Sequence, residues 1–406
     1  MPAHPNALFS NPSAIEPLLP DTSRAKMAEL TCDILREAGA LHAEIPSAIT
    51  KTKVAGLVRE MNSFYSNLIE GHRTLPRDIE RALRKDFSAK PKERENQLLH
   101  LAHIRTQEAM ERRLNTEKLN VYSAEFISWL HQEFYHHLPE EMHWSESFEE
   151  KRHRIYPGKI RDFDVRVGRH DPPLYSALQS FLERFDSGYN HPNILATNRL
   201  IVAAAAHHRL LWIHPFGDGN GRVCRLQTHA CLMQAKVDSL GLWTLSRGLA
   251  RHRDDYYNFL ANADLQRTDD LDGRGNLSER NLAAFCEFFL KIVLDQIRFM
   301  ATLLNLADLS ERIHLHIQRE RPRLRECRDE VSRLLKAFLI EGEIARGRVP
   351  EIIGRNEATA VKVIKLILAE DLAETPSPKG RLSIKFPAEV LDSYFPRLFL
   401  DIPLDA

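Results

Sequence analysis

The chain has 406 residues, 43% of them hydrophobic, and its 56 basic side chains are balanced by 56 acidic ones. That length suggests two or three domains, and the zero formal charge provides no global field toward a nucleic-acid backbone or a membrane surface. Five cysteines without a C-x-x-C pair argue against a disulfide framework, the first ten residues show no leader pattern, and no segment approaches membrane-spanning length, so a cytoplasmic location is expected.

Residues 1 to 20, rich in proline and asparagine, read as an irregular arm. From Ser23 to Arg113 the apolar spacing is helical, with breaks near Glu44-Ile45-Pro46 and Leu75-Pro76, and helices continue through Leu130 and Tyr135. Between Arg154 and Pro173, Val165 and Val167 alternate around Arg166 while Pro157-Gly158 and Gly168 bracket the run, which predicts a β-hairpin. Residues 193–212, with the alanine run 203–206, predict a buried helix that Pro215 and the following glycines end. A helical period resumes from Gly221 with Val223, Leu226 and Ala230, and another runs from Leu277 to Ile313. Arg319 to Arg328, dense in charge and interrupted by Pro322, reads as a link to a last domain. There, helices are predicted over Val331 to Ile340, Val349 to Ile353 and Glu357 to Ala369, and a strand over Leu382 to Phe386. No internal repeat or low-complexity tract is present.

The stretch His214-Pro215-Phe216-Gly217-Asp218-Gly219-Asn220-Gly221-Arg222-Val223-Cys224-Arg225 concentrates chemistry. Gly219, Asn220 and Gly221 lie where a new helix begins, and a helix N-terminus offers unpaired N–H groups and partial positive charge to phosphate oxygens. Arg222 and Arg225, one turn apart, can grip the same anion. Asp218, the only carboxylate of the loop, makes sense beside a phosphate cradle when a hard cation such as Mg²⁺ lies between them. His214 titrates near neutrality when unperturbed, which suits a general base. Phe216 is expected to plug into the helical core. The 19 histidines include no H-E-x-x-H and no zinc spacing, so no structural zinc is expected.

This stretch matches the Fic-family signature H-x-F-x-[DE]-G-N-G-R-x-x-R at every specified position, and the chain resembles that family. The resemblance implies a protein adenylyltransferase that moves AMP from ATP to a Ser, Thr or Tyr hydroxyl of a target protein, which can be the enzyme itself. His214 would be the base, Asp218 the Mg²⁺ ligand, Gly219, Asn220 and Gly221 the phosphate cradle, and Arg222 and Arg225 the cations facing the departing pyrophosphate. Ser66-Asn67-Leu68-Ile69-Glu70-Gly71 fits the family's inhibitory pattern [ST]-x-x-x-E-[GN]; Ser66, Glu70 and Gly71 would form the end of an inhibitory helix in which Glu70 pairs with Arg225. The hairpin would be the family's flap, with Ile160, Val165 and Val167 holding the target segment by strand addition. Arg251, Tyr256 and Tyr257 resemble the wall of the adenine and ribose, the alternative for the two tyrosines being core residues of a helix.

The implied fold is mainly α, a Fic-type helical core with a β-hairpin flap followed by a small winged-helix domain of α+β type. The expected divisions are 1–115 for the N-terminal helices, 116–310 for the core, 311–328 for the link and 329–406 for the winged helix. DNA is a candidate partner through the helix from Glu357, where Arg355, Thr359, Lys362 and Lys365 can face outward, the alternative being a packing or dimerisation module that makes the protein a homodimer. Two other functions stay open: an ATP-sensing transcriptional regulator, and a Fic enzyme that removes AMP or transfers another phosphate-linked group.

Overall fold

A computed structural model describes residues 10–146, 152–191, 194–195 and 198–399. The expected arm lies partly outside the described residues. In chain order the helices are α1 (Arg24–Glu44), α2 (Ala48–Ile69), α3 (Pro76–Leu83), α4 (Pro91–Thr116), α5 (Ala124–His136), α6 (Leu178–Tyr189), α7 (Arg199–Ile213), α8 (Asn220–Gln234), α9 (Leu245–Arg251), α10 (Arg253–Ala263), α11 (Glu279–Leu304), α12 (Leu306–Glu320), α13 (Arg328–Glu341), α14 (Val349–Ile353), α15 (Glu357–Ala369) and α16 (Leu391–Tyr394). The strands are β1 (Trp144–Glu146), β2 (Arg152–Arg154), β3 (Glu343–Ile344), β4 (Ala373–Glu374) and β5 (Leu382–Ile384). The fold is therefore mainly α. Among the described residues no helix is long and apolar enough to cross a membrane.

Two helices form the centre. In α11, Leu282, Phe285, Phe289, Val293, Ile297, Met300 and Leu304 recur at three- and four-residue steps and are buried, and the helix packs on α1, α7, α9 and α10. In α7 the alanines 203–206 are all buried, and their small side chains let α8 and α11 approach on separate faces. The helix expected over 193–212 begins at Arg199. The single period read from Leu277 to Ile313 is split at Asn305, whose side chain accepts the Asp308 N–H at 3.2 Å and caps α12.

The C-terminal half of α2 reads poorly as an amphipathic helix because Asn62, Ser63, Ser66 and Asn67 face inward. Each has a polar partner across the interface. Asn62 donates to Gln107 at 2.7 Å, and the Ser63 hydroxyl donates to the His100 carbonyl at 2.9 Å. The other flank of α2 meets the end of the chain. The Tyr65 hydroxyl donates to the Leu398 carbonyl (2.9 Å), Thr50 Oγ1 to that of Phe338 (2.9 Å), and Phe64 meets Phe399 edge to face at 5.2 Å. In that last part of the chain α13, α14 and α15 surround an antiparallel sheet of order β3-β5-β4, with Ile344 opposite Leu382 and Ala373 opposite Ile384. Residues 311–328, expected as a link, hold most of α12 and a turn at Pro322–Leu324, and Arg321 is tied to Glu370 at 3.2 Å.

The hairpin expected at Arg154–Pro173 is placed differently. The antiparallel pair is β1 with β2, Trp144 opposite Arg154, and it lies just upstream. Within the expected run only Val167 and His170 form a bridge, closing the turn at Gly168. Two residues of alternation are too few to hold a ladder, and the segment's backbone is instead held by a buried arginine.

Candidate nucleotide-handling site

The site is assembled where α7 ends and α8 begins. His214 caps α7 in the left-handed conformation, φ 51°, its N–H reaching the Leu210 carbonyl, and Pro215 then prevents the helix from continuing. Arg161 locks this turn from the segment above. Its Nε donates to the His214 carbonyl (2.9 Å), its other guanidinium nitrogens to the carbonyls of Phe163 (2.9 Å) and Pro173 (2.6 Å), and its backbone N–H to the Pro215 carbonyl (2.9 Å). Phe216 is buried, as expected, and stacks on His131 at 4.0 Å. Gly219 takes φ 79°, conformational space that favours glycine, so the chain can turn directly into α8. The Asn220 side chain closes the loop in both directions, accepting the Phe216 N–H (2.9 Å) and donating to the Phe216 carbonyl (2.8 Å). Of the expected cradle, Asn220 therefore offers its backbone alone. No side chain caps the start of α8, so its first N–H groups face the cavity.

Asp218 accepts from the Tyr135 hydroxyl at 2.6 Å and from Arg222 Nη2 at 3.1 Å. Burial works to raise its pKa, but the Arg222 charge, the Tyr135 hydroxyl and the Gly219 N–H hold it below the ordinary carboxylate value. Arg222 is 5% exposed, lies over the Phe134 ring at 5.0 Å, and leaves Nε and Nη1 without a hydrogen-bond partner. A buried guanidinium with two idle donors is a site waiting for an anion. The adjoining cleft, of about 520 Å³, is lined among others by His72, Arg94, Tyr135, Trp144, Asp218 and Arg222.

Arg225 is engaged by α2 through two of its three guanidinium nitrogens. Its Nε donates to Ser66 Oγ (2.9 Å), and its Nη2 donates to the Ser66 carbonyl (2.9 Å) and to Glu70 Oε1 (2.7 Å). Gly71, φ 85°, terminates the helix just beyond, so Glu70 sits at its very end. The Glu70 carboxylate lies directly over Gly221, where a Cβ would run into it. It thus occupies the positive mouth of α8 as an anion. Burial pushes Glu70 up in pKa, and the charges of Arg225 and Arg222 more than reverse that push.

The near-neutral titration expected of His214 does not hold. Burial pushes its pKa down to about 3, with the Arg161 and His170 charges acting in the same direction. The imidazole is neutral, with a lone pair on one nitrogen, throughout the working pH range. His100, His131 and His207 are likewise depressed to about 3 by burial. The unfolded chain therefore binds protons below the ordinary histidine value of 6.5 that the native fold refuses. Native stability from these four rings is complete above pH 6.5 and is lost as pH falls toward 3, at up to about 1.4 kcal/mol per ring per pH unit. Thermal unfolding should accordingly move to lower temperature between pH 7 and pH 5, while the His214 ring resonances stay fixed in NMR. A His214 shift change centred near 6.5 would contradict its burial.

The remaining expected residues are less well gathered. Tyr256 is corrected to the core. It is 1% exposed and its hydroxyl hydrogen-bonds His207 Nε2 at 2.7 Å, because its place on α10 faces α7 and α11. Tyr257, 42% exposed, reaches the Ile69 carbonyl from its hydroxyl (3.3 Å) and so lies against the end of α2. Arg251 ends α9 exposed, with no hydrogen bond or ion pair to the loop among the described residues. Ile160 and Val165 are half-buried and Val167 is exposed beside the His214 turn. Tyr135 and Arg161 were not singled out from sequence. Both occupy positions indistinguishable from ordinary helix core or loop charge.

Residues 121–232 match the Fic/DOC family model. Over 106 residues the chain is 35% identical to the protein adenylyltransferase Fic of Aedes aegypti, covering 26% of this chain and 20% of the relative. It is 36% identical over 106 residues to the protein of the same name from Drosophila erecta, with the same coverage. The chain thus spans about a fifth of the length of the curated relatives it matches. Among solved structures it is similar to a Fic family protein from Desulfovibrio desulfuricans G20, with a TM-score of 0.53 and 16% identity over 90% of this chain and 98% of the other. That likeness concerns the fold.

Proposed function

Because the chain belongs to the Fic/DOC family through residues 121–232, we propose that it is a protein adenylyltransferase held inactive by its own Glu70. The observation that carries this reading is the Glu70 carboxylate seated over Gly221 and bonded to Arg225, in the place where a phosphate would meet the start of α8. The relatives named protein adenylyltransferase Fic support the same chemistry.

In the reaction, a target hydroxyl oxygen attacks the α-phosphorus of ATP, its proton passes to neutral His214, and the bond to the β-phosphate oxygen breaks as pyrophosphate leaves. The α8 N–H groups, Arg222 and a released Arg225 face the charge that accumulates on the phosphate oxygens. Asp218 fits a magnesium site: it is ionised, half-exposed and the loop's one carboxylate, and a cation sharing it with phosphates and water needs no further protein ligand. When bound, Mg²⁺ supplies neutralisation of the triphosphate. The turn closed by Val167 and His170, with Ile160 and Val165 behind it, is the proposed docking edge for the target.

Residues 329–406 are proposed to be a winged helix that packs on α2. Of the residues expected to face DNA, Arg355 is bonded to Glu330 at 2.7 Å and Lys362 to Glu326 at 2.5 Å, which favours the packing role. Incubation with ATP and Mg²⁺, with and without cell lysate, followed by intact-mass measurement tests the reaction. One added adenylyl group on a protein supports it, and ATP turnover that leaves every protein mass unchanged would sink it.

A further inference from the structure

We propose that Tyr135 is a positioning residue that decides which oxygen of Asp218 is presented to the nucleotide's cation. The inference rests on the nucleotide-handling reading above, though not on AMP transfer itself. Both side-chain donors to Asp218, the Tyr135 hydroxyl at 2.6 Å and Arg222 Nη2 at 3.1 Å, converge on Oδ2. Oδ1 receives neither. The Asp218 side chain is 47% exposed, so its second oxygen is the one available to the cleft.

That orientation matters because, of the two side-chain donors on Asp218, one is the guanidinium that competes for the carboxylate. Among the described residues no group of three His, Cys, Asp or Glu side chains is placed to hold a metal, so the aim of the Asp218 carboxylate bears directly on how a cation would be held here. A lone carboxylate is also under a competing pull. Arg222 Nε and Nη1 are buried and without partners, and a carboxylate freed to rotate would be drawn into a two-pronged pair with that guanidinium. The pair would turn Oδ1 from the cleft. The Tyr135 hydroxyl, by holding Oδ2 at 2.6 Å, opposes this collapse.

Tyr135 is itself fixed. It is 1% exposed, its ring lies against His131 at 4.6 Å, and His131 stacks in turn on Phe216 of the loop. The His143 ring donates to the Tyr135 carbonyl at 3.0 Å, the Gly158 N–H donates to His131 Nδ1 at 2.9 Å, and Gly219 lies against the phenol face. Tyrosine in place of phenylalanine adds the hydroxyl that reaches Asp218 from this ring stack.

The test is Tyr135→Phe in a Glu70→Gly background, which keeps the ring and removes the hydroxyl. Bound Mn²⁺, read by electron paramagnetic resonance in the presence of ATP, should need a concentration about 10- to 100-fold higher in the variant, as expected when a hydrogen bond orienting a metal ligand is lost. ATP affinity measured in chelator should stay the same. An unchanged Mn²⁺ affinity overturns the proposal, and so does an equal loss of metal-free ATP binding, which would mark a damaged pocket. Absence of Mn²⁺ binding already in the Tyr135 protein overturns it together with the metal role of Asp218. A protein that shows the expected Mn²⁺ shift yet labels no target supports the positioning role and counts against the transfer reaction alone.

Discussion

His214→Ala, placed in a Glu70→Gly background so that the starting rate is high, should lower AMP transfer about 10²- to 10⁴-fold while ATP binding is retained. The two effects separate because the ring and the backbone of this residue do different things. Arg161 holds the His214 and Pro215 carbonyls, and the Asn220 side chain closes the loop on Phe216, so the phosphate-facing geometry survives loss of the imidazole. What disappears is a neutral ring kept unprotonated by burial, the proposed acceptor of the hydroxyl proton. Initial rates of label incorporation measured beside ATP affinity check this. Labelling that persists in the variant would remove His214 as the base, and parallel loss of ATP affinity would make it a binding residue instead.

The loop was legible in sequence because its chemistry is contiguous: twelve neighbouring residues carry the base, the carboxylate, the turn glycines and both arginines. Their mutual placement follows from a helix end and a helix start, which local propensity specifies. The Glu70–Arg225 bond spans 155 positions and could be anticipated only through family resemblance, never from spacing. Tyr135 lies in register with Phe126, Leu130 and Phe134 on the buried face of α5, so its hydroxyl is hidden within an apolar period. Arg161 is one arginine among many, and nothing local says that its side chain will be buried on the carbonyls of His214, Phe163 and Pro173. Tyr256 shows the converse failure, an aromatic that resembles a ligand wall but answers a buried histidine. The hairpin was displaced because β1 and β2 carry Trp-Ser-Glu and Arg-His-Arg, which lack the apolar alternation that marks strands, while the alternating valines sit in a turn.

Glu70→Gly should raise AMP transfer about 10- to 100-fold, since the bond it removes is a charge-assisted one worth about 1.5–3 kcal/mol and each 1.4 kcal/mol is a factor of ten. The gain requires that Arg225 stay in position once its carboxylate partner is gone. Two bonds from α2 remain for that purpose, Nε to Ser66 Oγ and Nη2 to the Ser66 carbonyl. α2 itself is held independently of Glu70 by Tyr65 on the Leu398 carbonyl, Phe64 on Phe399 and Thr50 on the Phe338 carbonyl, and the substituted residue caps the helix just past its last residue, Ile69. The substitution therefore clears the space over Gly221 without releasing the helix. It also strands a buried cation, so the unliganded variant should be less stable by about 3 kcal/mol, the low end of the cost of breaking a buried pair. ATP then replaces the missing anion. Its presence should recover more thermal stability in the variant than in the Glu70 protein, because binding to the native state alone adds stability in proportion to affinity. Unfolding midpoints with and without ATP, read beside labelling rates, check both halves. A variant that labels no faster and gains no more from ATP than its parent would mean that Glu70 does not guard the phosphate site.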